Sequence, residues 1–119
     1  MARIIKNNIE YSNTSALPVE DISSQLILAS GFVKESWGYL TGVKYGKIVI
    51  IAFAGVHSTS NISSATTMVT LPTSASVNGA SVLVDDSGNA ILITVTGTLL
   101  EVFKVDANKN LTGQIVLIM

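Results

Sequence analysis

Cysteine is missing from this 119-residue chain, which excludes disulfides and thiolate sites and leaves the redox compartment open. There is one histidine, His57, so a His-rich metal centre is excluded and any nucleophile–His–acid triad would have to run through that residue. Charge is scarce at 13% of residues, about half the usual share of roughly 25%. The seven basic and eight acidic side chains are scattered singly, so no basic patch awaits phosphates and nucleic acid is not an expected partner. No apolar run approaches the roughly 20 residues of a membrane-spanning helix, so membrane insertion is not expected despite a mean hydropathy of +0.52. The opening Met1 to Asn8 turns polar before an apolar signal core forms, and synthesis in a cytosol without a secretory leader is expected.

What the chain has instead is one strand-like stretch, Lys47 to Val56, that is apolar on both sides. Strand alternation puts Ile48, Ile50, Ala52, Ala54 and Val56 on one face and Val49, Ile51 and Phe53 on the other. An antiparallel sheet with a solvated side shows apolar-in, polar-out alternation; two greasy faces call for a second sheet, a helix or another subunit. A homo-oligomer is therefore expected, with Val49, Ile51 and Phe53 among its interface residues.

Arg3 to Tyr11 reads as a short hairpin about Asn7-Asn8, followed by a polar linker over Ser12 to Ala16. Pro18-Val19-Glu20-Asp21 suits a helix opening, and Gly31 a helix stop. Val19, Ile22, Leu26 and Ala29 follow one another at coiled-coil spacing. Such a helix either lies on the domain's own core or packs against symmetry mates through Val19, Ile22 and Leu26. From Trp37 onward every signal is β. The candidate strands are Tyr39 to Lys44, Lys47 to Val56, Thr67 to Leu71, Ser81 to Asp85, Ala90 to Thr96, Thr98 to Val105 and Leu111 to Ile118. Gly, Asn and Asp punctuate them where turns need those residues. The longer connections His57 to Ala65 and Pro72 to Ala80 suit a jelly-roll or Greek-key topology. The fold expected is all-β, an antiparallel β-sandwich over residues 37–119, with residues 1–36 as a hairpin, linker and short helix serving oligomerisation or attachment.

Catalytic constellations are scarce. His57 sits among serines too common to form a signal, no pair of acids stands out for glycoside hydrolysis, and no phosphate-cradling glycine motif is present, so an enzyme is not expected. Asp85-Asp86-Ser87-Gly88-Asn89 gathers oxygens but lacks EF-hand spacing and a closing glutamate, and reads as a hairpin turn rather than a metal site. No cofactor is expected. The sequons at Asn13, Asn61 and Asn110 are read as unused. Trp37 and Tyr39, flanking Gly38, are candidates for stacking on sugar, with the plugging of a core or contact as the competing role. His57, Ser58 and Asn61, in a loop rich in hydroxyl and amide groups, are candidate ligand contacts beside them.

Several phrases resemble a known family. Trp37-Gly38-Tyr39 through Val43-Lys44-Tyr45-Gly46-Lys47-Ile48-Val49-Ile50-Ile51-Ala52-Phe53-Ala54-Gly55-Val56 is similar to the opening strands of C-terminal head domains of bacteriophage tail fibre, baseplate and receptor-binding proteins. Thr70-Leu71-Pro72, Ile93-Thr94-Val95-Thr96-Gly97-Thr98 and the closing Leu111-Thr112-Gly113-Gln114-Ile115-Val116-Leu117-Ile118 resemble later phrases of those heads. The lead-in Arg3 to Ser12 is similar to short segments of prophage tail proteins from Gram-positive bacteria. The resemblance implies a homotrimeric head carried on a virion, made in a bacterial cytoplasm, attached to other tail proteins and binding a host cell-surface glycan or protein. A trimerisation or capping unit that binds no receptor is the alternative, and a small glycan-degrading enzyme a more distant one. The resemblance assigns no individual binding residue.

Overall fold

The computed structural model describes residues 18–119 and the backbone of a strand pair, β1 (Arg3–Ile5) and β2 (Asn8–Ile9), which meet antiparallel with Arg3 opposite Ile9. The remainder of the expected hairpin and the linker after it lie outside the described residues. The body is all-β, a single antiparallel sheet of nine strands. In chain order these are β3 (Val19–Asp21), β4 (Ile27–Leu28), β5 (Phe32–Tyr45), β6 (Ile48–Ser58), β7 (Thr66–Thr70), β8 (Gly79–Asp85), β9 (Ala90–Thr96), β10 (Leu99–Val102) and β11 (Leu111–Ile118). Their order across the sheet is β3-β5-β6-β11-β8-β9-β10-β7-β4. The expected strands are present from Tyr39 onward, and β5 begins earlier, at Phe32. The boundary expected between residues 36 and 37 falls inside β5, and β3 and β4 belong to the same sheet as the rest.

The helix expected from Pro18 to Ser30 is not formed. In its place stand β3, a 3-10 turn over Ser23–Gln25, and β4. Asp21 Oδ1 accepts the backbone N–H of Ser23 at 2.9 Å, a local side-chain bond that competes with helix initiation. A helix this short is marginal alone, whereas here both sheet edges take the backbone: Val19, Glu20 and Asp21 pair with Tyr45, Lys44 and Val43, and Ile27 and Leu28 with Thr70 and Val69. The 3-10 turn returns Ile22 and Leu26 to one side, and both are buried. Of the four residues at helical spacing, Ile22 and Leu26 are thus buried from a non-helical backbone, Ala29 is half-buried and Val19 is exposed.

This segment joins the two edges of the sheet. Ile22 N–H bonds Gly42 O at one edge and Ala29 N–H bonds Met68 O at the other, each at 2.9 Å. The sheet therefore curls into a half-barrel around one core. Val49, Ile51 and Phe53 from β6 meet Leu83, Ile93, Leu100, Met68, Leu111 and Leu117 there. Five of the side chains expected at a subunit interface, Ile22, Leu26, Val49, Ile51 and Phe53, belong to this internal core; Val19 is exposed. The other face of β6, carrying Ile48 and Ile50, is the one left uncovered within the described residues. Among those residues no helix is long and apolar enough to cross a membrane.

The β8–β9 turn is held by Asp85, a buried carboxylate. Oδ1 accepts the backbone N–H groups of Ser87 and Asn89, and Oδ2 the side-chain amide of Asn89. The Asn89 backbone bond is foremost in holding this carboxyl below its ordinary range; burial opposes the shift, while the other bonds and nearby Lys109 assist it. A depressed folded-state pKa contributes stability above the unfolded value of about 4, and the contribution is lost as pH falls through the folded value. Urea midpoints are therefore expected to hold level above that value and drop below it. Asp85→Asn is expected to lower the neutral-pH midpoint and flatten the acid limb, with the part due to Asp21, shifted the same way by its bonds with Ser23, remaining. An acid limb as steep as that of the wild type would contradict this assignment.

Candidate functional site

Two glycines inside strands organise the most distinctive part of the surface. Across the β5–β6 pairing the register slips between Lys34 and Tyr39. Gly55 opposes this bulge with φ +67, a conformation that favours glycine. A side chain on Gly38 would meet Ala54 O at 2.6 Å, so the two backbones touch. The bulge inverts the alternation of β6. Ile48, Ile50 and Ala52 share the outer face, whereas Val56, expected on that same face, is turned into the core with Ser58 while His57 points out.

Trp37 lies over this junction, with Cη2 and Cζ3 at 2.9 and 3.0 Å from where a Gly55 side chain would begin. Its residue surface nevertheless remains 65% exposed, so the ring has backbone beneath it and open space beside it. Tyr39, opposite Ala54, is 48% exposed. Beyond them His57 Nδ1 is 3.0 Å from Asn110 Oδ1 and 3.4 Å from Glu35 Oε2. Both partners offer oxygens, so Nδ1 carries the proton and donates. Lys34 Nζ donates to Gly38 O at 3.3 Å across the bulge. The bulge thus brings an exposed aromatic platform and a polar cluster to one end of the β5–β6–β11 surface.

Among the residues expected to contact ligand, Trp37, Tyr39 and His57 are gathered here. His57 belongs to β6 rather than to a loop, and its Nδ1 is engaged. Ser58 is buried, its hydroxyl donating to Ser60 O at 2.7 Å. Asn61 is exposed, yet its Oδ1 accepts the backbone N–H of Ala107 at 2.8 Å and ties two loops together. The same loops share the Ile62–Val105 bridge. Sequence reasoning missed Glu35 and Asn110, whose meeting with His57 depends on strand order. Gly38 and Gly55, isolated glycines within strand patterns, were the available sign of a bulge.

A separate open groove of about 570 Å³ lies against the β8–β9 turn, lined by residues that include Asn89, Leu92, Phe103, Lys104 and Asp106. The Asp85 carboxylate in its wall is already occupied by the turn. Among the described residues no three His, Asp or Glu side chains cluster as a metal site. No protein-family model matches the chain, and a search of curated proteins finds no significant relative.

Gly55→Ala tests the bulge. The strain of a non-glycine residue at this φ, of order 1–3 kcal/mol, and the clash with Trp37 are expected to lower the unfolding free energy by about that amount. Trp37 is the sole tryptophan, so its fluorescence reports the junction directly. Its emission is expected to shift in the folded variant, and an unchanged spectrum with unchanged stability would exclude the stated packing.

Proposed function

We propose that this chain is a binding head of a phage or prophage tail fibre or baseplate protein, engaging host cell-surface glycan through the platform of Trp37 and Tyr39. The observation that carries the reading is the exposed Trp37 ring seated on Gly55 with hydrogen-bonding groups beyond it. A flat aromatic face takes the apolar face of a sugar ring, and Glu35, His57 and the Tyr39 hydroxyl supply partners for sugar hydroxyls. The phage assignment rests on the resemblance of the strand phrases. In this reading the curled sheet is the jelly-roll or Greek-key sandwich of such a head, and three copies are displayed on a virion beside other tail proteins. Single-site affinity is weak and avidity strong. A protein receptor at the same platform, or a purely structural trimerisation or capping role, is the second reading, and the apolar outer face of β6 favours the structural one.

The test is binding of the assembled protein to host cell-wall glycans, with wild type beside Trp37→Ala. Loss of the stacking ring is expected to weaken single-site binding by about tenfold while the circular-dichroism spectrum is preserved. Salt is expected to matter little, because few charges take part. Equal binding by the folded variant would move the site elsewhere, and failure of wild type to bind any host surface would favour the structural reading.

A further inference from the structure

We propose that the outer face of β5, β6 and β11 docks on the same face of another copy of this chain. The inference rests on the homo-oligomeric part of the function proposed above and names its surface. Strand register arranges the face in rows. Ile48 stands between Tyr45 and Ile118, with Val19 beyond Tyr45; Ile50 stands between Val43 and Val116; Ala52 stands between Thr41 and Gln114. The large apolar members of the first two rows are all exposed within the single chain. Val82, Val84 and Leu92 extend the exposed apolar surface onto β8 and β9.

Charge selects the occupant. The outward positions of β5 from Tyr39 to Tyr45, of β6 from Ile48 to Ala54 and of β11 from Thr112 to Ile118 carry no charged side chain. Asp21, opposite Val43, stands at the edge strand alone. A partner with charges in its contact surface would desolvate them here without compensation. The same face on a second copy brings an equal apolar area and, apart from Asp21 at the margin, no charge to desolvate. Strands about 4.8 Å apart and rows about 6.8 Å apart give the three rows on the order of 400 Å² in projection, and the outward positions of β8 and β9 bring this to roughly 550 Å². Specific interfaces begin near that size, at about 600 Å² of accessible surface per partner. Trp37 stays at the rim, beyond the Tyr39 end of the rows.

Because the chain has no cysteine, a single introduced thiol reports one position. Ile50→Cys, at the centre of the face, is expected to join two chains through a bismaleimide of about 10 Å span, the separation of packed sheets. Ser64→Cys, exposed in the loop between β6 and β7 and outside the face, is expected to remain a single chain under the same treatment. Ile50→Lys is expected to turn a multimeric wild type into a monomer by light scattering, with its β-sheet spectrum retained. The proposal is overturned by a wild type that is monomeric at about 10 µM, including one that instead sediments with phosphatidylcholine vesicles. A folded Ile50→Lys variant of wild-type mass, or an Ile50→Cys variant that does not cross-link, overturns it as well. A dimeric mass by light scattering in place of a trimeric one supports the face and removes only the three-fold count. Cross-linking without glycan binding likewise supports it while removing the receptor-binding role, whereas a glycan-binding monomer has the opposite effect.

Discussion

The antiparallel pairing of β5 with β6 is the contact on which the rest of the structure depends. It sets Val49, Ile51 and Phe53 inward and fully buried, which gives the curled sheet its core. Truncating a buried phenylalanine typically costs about 3–5 kcal/mol, a large share of the 5–15 kcal/mol that a domain possesses. The same pairing sends Ile48 and Ile50 to the opposite side, where the described part of the chain provides no cover. One strand therefore creates both the stability of the fold and its unspent apolar surface.

The bulge at Gly38 and Gly55 divides that outer surface into two chemistries. On one side the outward positions of β5, β6 and β11 are mostly apolar and carry no charge. On the other, inverted alternation buries Val56 and brings His57 out to meet Glu35 and Asn110. Without the bulge, regular alternation would expose Val56 and bury the imidazole, at a considerable desolvation cost for its polar groups. Trp37 covers the point of inversion. The proposed roles divide at the same place, with assembly through the apolar rows and recognition at their rim.

The β architecture was legible because its signals are local. Period-two alternation and Gly, Asn and Asp at the turns located the strands from Tyr39 to Ile118, and the two-faced character of Lys47 to Val56 was plain from side-chain type. The N-terminal segment was misread because Val19, Ile22, Leu26 and Ala29 fit a helical period, while the edge pairing that overrides it comes from Val43 to Tyr45 and from Val69 and Thr70. That pairing has no signature within the segment. Choosing Val49, Ile51 and Phe53 as interface residues failed for a related reason: periodicity separates two faces but does not say which one the chain itself encloses. The candidate site was half visible. Trp37 and Tyr39 drew notice by residue type, whereas the joining of Glu35, His57 and Asn110 depends on β11 lying next to β6.

One outer surface carries both an apolar field, proposed to be covered by another copy, and an accessible aromatic rim. Residue-resolved oxidative footprinting of the native protein at working concentration tests it most directly, by comparing Tyr45 in the apolar field with Trp37 at the rim. Both are exposed in the single chain. Tyr45 is expected to be protected until the proposed assembly is diluted apart, while Trp37 is oxidised throughout. Equal modification of the two at every concentration would contradict it.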